Sequence, residues 1–195
     1  MFKKSILAIC LAVASLPSLA DSNTDLKTII DNHWQNAKAE KIFFRTDPDG
    51  WKPNGKLPNW SEQAISKRQA YNNSVLKSLA SIDPKTLNNE QLMNYRLFKY
   101  ERETEQQSYL YQDKYFPVNF LSGWHTYFAE APANMAFLTA EDYDAFLVSL
   151  GDYPRFNQQN INLLKQGIQT GFTHYCETFK NYGQSISAHI VKQPE

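Results

Sequence analysis

The chain has 195 residues, 42% of them hydrophobic, and its 20 basic side chains balance 20 acidic ones. That balance argues against nucleic acid as a partner, which calls for a basic surface. Aromatic residues reach 14% while only 7 glycines are present, which favours long helices over an all-β sandwich full of turns.

Residues 1–20 read as a signal peptide. Lys3 and Lys4 form a basic n-region, Ile6 to Leu16 is a short apolar run, and Ser18-Leu19-Ala20 places small residues where a signal peptidase reads them. The run is shorter than the roughly 20 apolar residues a bilayer span needs. Cleavage before Asp21 is expected, giving a periplasmic or secreted chain with no membrane attachment. The alternative is a lipoprotein anchored at Cys10; Ile9 argues against it, since a small residue is wanted there. Losing Lys3 and Lys4 takes the 20 basic residues to 18 against 20 acidic, a net charge of −2. Cys10 leaves as well, so Cys176 stands alone and no intrachain disulfide forms. The remaining residues 21–195 are enough for one domain with a core of its own.

In chain order, Thr24 to Phe44 reads as a helix, with Leu26, Ile30, His33, Trp34, Ala37 and Phe44 recurring on one face. Arg45 to Asn59 is a loop, dense in Pro, Gly, Asp and Asn. Ser61 caps a second helix running to Ser81, with Ile65, Val75, Leu76 and Leu79 on its apolar face. Asn88 and Gln91 form a capping box for a third, Asn89 to Lys114. Its first half is apolar around most of its girth and its middle, Glu101 to Gln107, is polar, so it is expected to be buried at both ends and wet between.

Pro117 then forces the chain out of helical geometry. Tyr115 to His125 is so rich in Phe, Leu, Val and Trp that it reads as a buried crossover. A fourth helix, capped by Thr139 and Asp142, carries Tyr143, Phe146, Leu147 and Leu150 and stops at Gly151. A fifth starts with Pro154 in its first turn, buries Phe156, Leu163, Leu164 and Ile168, and ends at Gly171. The last runs from His174 to Val191 with Phe179, Tyr182, Ile186 and Ile190 on one face. The expected fold is an all-α array of about six helices in a single domain.

No self-sufficient catalytic or metal site is legible. The histidines are His33, His125, His174 and His189; none is paired at i, i+4 and none belongs to an HExxH motif. His174, Cys176 and Glu177 lie close in sequence, but a helix start with partly buried polar groups is the favoured reading. Asp47-Pro48-Asp49-Gly50 reads as a turn, because Trp51, Lys52 and Pro58 stand where a calcium loop needs a ligand, a glycine and a glutamate. There is no nucleophile elbow, no Cys-His-Asn arrangement around Cys176 and no phosphate-binding glycine loop. Glu101, Glu103 and Glu105 read as a solvated helix face. Trp34, Trp51, Trp60 and Trp124 could stack on sugar rings, though core and loop-pinning roles are commoner for tryptophan.

Several segments together carry a family resemblance. They are His33-Trp34, Leu79-Ala80-Ser81-Ile82-Asp83, Phe116-Pro117-Val118-Asn119, Leu138-Thr139-Ala140-Glu141-Asp142-Tyr143, Leu150 to Pro154, and Leu164-Lys165-Gln166-Gly167 with Gly171. In that order and spacing the chain resembles the N-terminal portion of the bacterial domain-of-unknown-function family numbered 885, a helical family similar to zinc metallopeptidases. The resemblance implies exported helical proteins longer than this chain, with an HExxH-type motif extended by Pro-Gly-His downstream of the matched region. It therefore transfers no catalytic residue, cofactor ligand or metal ligand to any position here, and implies zinc only for the longer relatives. Two departures stand out: Val148-Ser149-Leu150-Gly151, where the family tends to carry an arginine, and His174-Tyr175-Cys176, where it tends to place a proline.

The favoured expectation is an exported N-terminal fragment of such a protein, catalytically silent alone, whose partner is the missing C-terminal half of the family domain. It carries an exposed apolar surface where that half would dock. The alternative is a self-contained periplasmic helical binding module, and a complete small hydrolase is the least favoured reading.

Overall fold

The computed structural model describes residues 21–40, 55–119, 121–134, 137–180, 182–187 and 190. Residues 1–20, the expected signal peptide, lie outside the described residues, as do most of the Asp47-containing loop, Phe44, Trp51 and His189. Six α-helices are present among the described residues, and no strand: α1 (Ser22–Glu40), α2 (Glu62–Ala80), α3 (Asn89–Leu110), α4 (Trp124–Glu130), α5 (Ala140–Thr170) and α6 (Tyr182–Ser187). The all-α expectation holds.

α1, α2 and α3 pack on one another around Leu26, Val75, Leu79, Ile82, Tyr95 and Phe98. The starts of α2 and α3 are set as the sequence predicts. The Ser61 hydroxyl accepts from the Ala64 amide at 3.3 Å, and the Asn88 side chain accepts from the Gln91 amide at 2.9 Å. The return half of the Asn88 box comes from elsewhere: the Asn88 amide donates to Asn23 Oδ1 on α1 at 3.0 Å. Beside it the Thr86 hydroxyl donates to Ser22 Oγ at 2.8 Å, so α1 is tied to the α2–α3 connection by side chains.

α3 is shorter than predicted and less buried. It ends at Leu110 because Gln112 takes a left-handed conformation (φ 59°), after which Asp113–Tyr115 form a 3₁₀ turn. The helix is therefore over before Pro117 acts. Only Tyr95 and Phe98 are buried on it, and Met93, Leu97 and Tyr100 lie exposed along one outer stripe.

The crossover is partly buried. Tyr115, Val118 and Gly123 are enclosed, whereas Leu121 is 77% exposed. Val118 pairs with Gly123 in an isolated antiparallel bridge, and Asn119 Oδ1 accepts from the Leu121 and Ser122 amides, closing a tight turn. Tyr115 joins Ile65 of α2 and Leu163 of α5 in a second, smaller core.

The predicted fourth and fifth helices are one helix of 31 residues, α5, with Pro154 inside it. Gly151 is not a C-cap. Pro154 removes the amide that would bond the Leu150 carbonyl. Both Pro154 and Leu150 are exposed, so water can satisfy that carbonyl, and contacts on either side of the break hold the helix together. Pro154→Ala is expected to raise stability by about 1–3 kcal/mol in urea unfolding. A lowered midpoint would mean that the proline is required by the packing described below.

In its N-terminal half α5 buries a different face from the one its apolar pattern suggests; in its C-terminal half Phe156 and Leu163 are buried as expected, while Ile168 is exposed. Asp142, Ala145, Ser149, Phe156, Asn160, Leu163 and Gly167 point inward, mostly small or polar, while Tyr143, Leu147 and Leu150 are exposed. Small residues let backbone come close. A methyl added at Gly167 would stand 2.6 Å from the Phe172 carbonyl oxygen and 3.1 Å from Tyr115 Cβ. The C-terminal segment differs too. Instead of one helix from His174, it has a 3₁₀ turn at Cys176–Phe179 and the short α6, with Ile186 and Ile190 exposed.

Candidate functional site

Leu57, Pro58 and Trp60 form a ridge between two concave surfaces. α5 fixes that ridge. The Ser149 hydroxyl donates to the Gly55 carbonyl at 2.9 Å. Arg155 donates to the carbonyls of Leu57 and Pro58 at 3.1 and 3.3 Å, and Gln159 Oε1 accepts from the Trp60 amide at 2.8 Å. Gln159 Nε2 donates to Asn59 Oδ1 at 2.9 Å. Asp152 aligns the Arg155 guanidinium with two hydrogen bonds of 2.5 and 2.6 Å, and the same contact holds the Asp152 carboxyl below the usual carboxylate range.

On one side of the ridge lies a cavity of about 390 Å³. That is within the range of small-molecule sites, about 300–1,000 Å³. Its walls are aromatic: Trp60, Phe116, Trp124, Tyr127, Phe128 and Phe156. Asn160 is the buried polar group in the wall, and Asp113 and Lys114 stand at its edge. The Trp124 indole N–H donates to Asn157 Oδ1 at 2.7 Å, which fixes the ring that closes the far side. Of the four tryptophans singled out as ring-stacking candidates, Trp60 and Trp124 thus meet in one cavity.

On the other side runs a groove of about 1400 Å³ between α1, the ridge, α2 and α3. Trp34 lines it with His33, Arg68, Tyr71, Asn72 and Arg102. Arg68 stacks on the Trp60 ring with its guanidinium carbon 4.9 Å from the centroid. The buried Asn72 amide donates to the Arg102 carbonyl at 2.9 Å, joining α2 to α3 at the groove floor. The Tyr109 hydroxyl donates to Glu105 at 2.6 Å, and burial, together with that carboxylate, pushes the phenol far above its ordinary value. Burial also raises the Tyr71 phenol, against the pull of Arg102.

The carboxylates of α3 divide. Glu103 is a solvated residue near Lys99, whereas Glu101 and Glu105, four residues apart, both line the groove. Arg68, Asn72, Arg102, Arg155 and Asn160 escape sequence reasoning, although Arg68 and Asn72 at i, i+4 interrupt the apolar face of α2 in a legible way.

The described histidines are scattered among aromatic rings. His33 packs on Tyr71 and Phe98, His125 on Trp124 and Tyr182, and His174 on Phe116 and Phe179. Cys176 is exposed and Glu177 pairs with Lys180 at 3.1 Å, so the His174–Cys176–Glu177 set does not assemble. Among the described residues no three His, Cys, Asp or Glu side chains come together to hold a metal, so these helices do not offer the donor set that a zinc ion needs. No helix among them is long and apolar enough to cross a membrane.

Fold and site therefore define an all-α protein with an aromatic cavity and a charged groove on either side of a clamped ridge. The family model described as bacterial protein of unknown function (DUF885) matches residues 45–195, and the chain belongs to that family. No curated protein and no solved structure matches the chain.

Proposed function

We propose that the chain is an exported family member whose described helices bind rather than react. They form a wall of the substrate cleft in a zinc-metallopeptidase-like protein, and metal ligands and catalytic groups come from other parts of the family domain. The observation that carries this reading is the clamped ridge with a ligand-sized aromatic cavity on one side and a charged groove on the other. The basic, apolar and small-residue pattern of residues 1–20 supports export. The exposed stripes Met93, Leu97 and Tyr100 on α3, and Tyr143, Leu147 and Leu150 on α5, support packing against further protein of the same family domain. A second reading, a self-contained binding module, draws on the side-chain ties that join α1 to the start of α3.

The test is calorimetric titration of the full chain, expressed with its own leader and recovered from a bacterial periplasm. The mass of the recovered protein should place its first residue at Asp21. Saturable binding of an acetylated phenylalanine-containing dipeptide amide is expected, weakened roughly ten-fold by Trp124→Ala. Absence of binding, or binding of a disaccharide in its place, would overturn the peptide-cleft reading. Stoichiometric zinc with chelator-sensitive peptidase activity would overturn the statement that these helices only bind.

A further inference from the structure

We infer that the groove contains a carboxylate site built on Arg102 and Arg68, so that the ligand is an organic carboxylate whose aromatic or bulky apolar body lodges in the cavity across the Trp60 ridge. A peptide ending in an aromatic residue is the form this ligand takes under the cleft reading above, on which the inference rests.

Three observations converge on the arginines. The Arg102 guanidinium has little to do inside the protein. One Nη lies 3.5 Å from Asn72 Oδ1, the group sits over the Phe98 ring at 5.5 Å, and its Nε is enclosed without a hydrogen-bond partner. Guanidinium carries five donors in a fixed fork that matches a planar carboxylate; with Nε enclosed and one Nη in a long contact to Asn72, the remaining terminal donors are the ones that serve a ligand in the groove Arg102 lines. Glu105, three residues along α3, accepts the Tyr109 hydroxyl at 2.6 Å and forms no ion pair with Arg102.

The second arginine marks the route to the cavity. Arg68 is one turn before Asn72 on α2 and sits over the Trp60 ring, and Trp60 also lines the cavity. The sequence of groups from Trp60 through Arg68 and Asn72 to Arg102 is thus continuous. Both guanidinium-bearing residues, Arg68 and Arg102, line the groove together with Asn72. The cavity has apolar walls with few polar groups, so a ligand that gains its charge-assisted hydrogen bonds in the groove and its apolar contacts in the cavity uses both surfaces.

The experiment compares acetyl-glycyl-phenylalanine as its free acid and as its amide, by calorimetry on the full chain. The acid is expected to bind roughly ten-fold tighter or more. Arg102→Gln should bring the acid down to the affinity of the amide and leave the amide unchanged, with an unaltered thermal melt. Should that variant fail to fold, Arg102→Lys, which keeps the charge and loses the fork, is read instead and should still narrow the difference. Equal binding of acid and amide by the unmodified chain overturns the carboxylate site while leaving the cavity reading intact. Retention of the acid preference in a folded Arg102→Gln variant overturns the assignment to Arg102. Failure of both probes to bind removes the cleft reading and this inference with it. Inorganic phosphate is the control: competition as strong as that of the peptide acid would reduce the site to a general anion patch and overturn the carboxylate assignment.

Discussion

Gly55→Ala is expected to abolish ligand binding by the cavity and to destabilise the protein by about 3 kcal/mol or more. Two independent penalties meet at this residue. Gly55 has φ +66°, a conformation that costs an L side chain roughly 1–2 kcal/mol. Its missing Cβ would also be driven against the Ala145 carbonyl oxygen and would stand 2.9 Å from Val148 Cβ. That neighbour is the backbone of α5, so it cannot swing aside. The loop must move instead, breaking the Ser149–Gly55 hydrogen bond and loosening the ridge that Arg155 and Gln159 hold. The check is urea unfolding together with peptide titration of the same variant. A near-wild-type affinity would show that the cavity does not depend on the ridge.

Leu79→Ala is expected to cost about 2–5 kcal/mol while leaving peptide affinity intact at temperatures where the variant stays folded. Leu79 is 1% exposed and packs in the cluster with Leu26, Val75, Ile82, Tyr95 and Phe98, away from the ridge. Truncation leaves a hole bounded by two helices that are themselves pinned by side-chain hydrogen bonds, so collapse is restricted. Since a domain is held by only about 5–15 kcal/mol in total, the loss is a large share. The measurement is the urea midpoint with its slope. A shift under about 1 kcal/mol would mean that this cluster repacks freely.

These two sites differ in how far they could be read in advance. Leu79 sits on a regular apolar stripe with a strong cap at Ser61, and local pattern alone places it inside. Gly55 lies in a Pro- and Gly-rich stretch that reads as a loop, but nothing local says what the loop leans on. The same distinction runs through the fold. Caps at Ser61 and Asn88 involve residues three apart in the chain and were legible. Gly151 and Pro154 read as punctuation because each weakens a helix locally. The helix continues through them since Ser149 and Arg155, on either side, are fastened to residues nearly a hundred positions earlier. α5 buries Asp142, Ala145, Ser149 and Asn160, with the Gly55 loop lying close against Ala145 and Ser149, so Leu147 and Leu150 face outward although their spacing alone points them inward. For the site, aromatic content pointed to Trp60 and Trp124. Their meeting in one cavity, and the placing of Arg68 and Arg102 beyond the ridge, depend on tertiary contacts that spacing does not encode.

The Asn23–Asn88 hydrogen bond has a consequence for the order in which the molecule loosens. A helix start normally carries its own closure, and α3 borrows part of its closure from α1. Detachment of α1 therefore exposes the Asn88 amide to solvent and frays the first turn of α3, even where the rest of that helix stays packed. In hydrogen–deuterium exchange the amide of Asn88 should open at the same rate as the amides of α1, and faster than those around Phe98 in the interior of its own helix. α1 and the first turn of α3 then behave as one cooperative unit, set by a side chain and not by the boundaries of the helices.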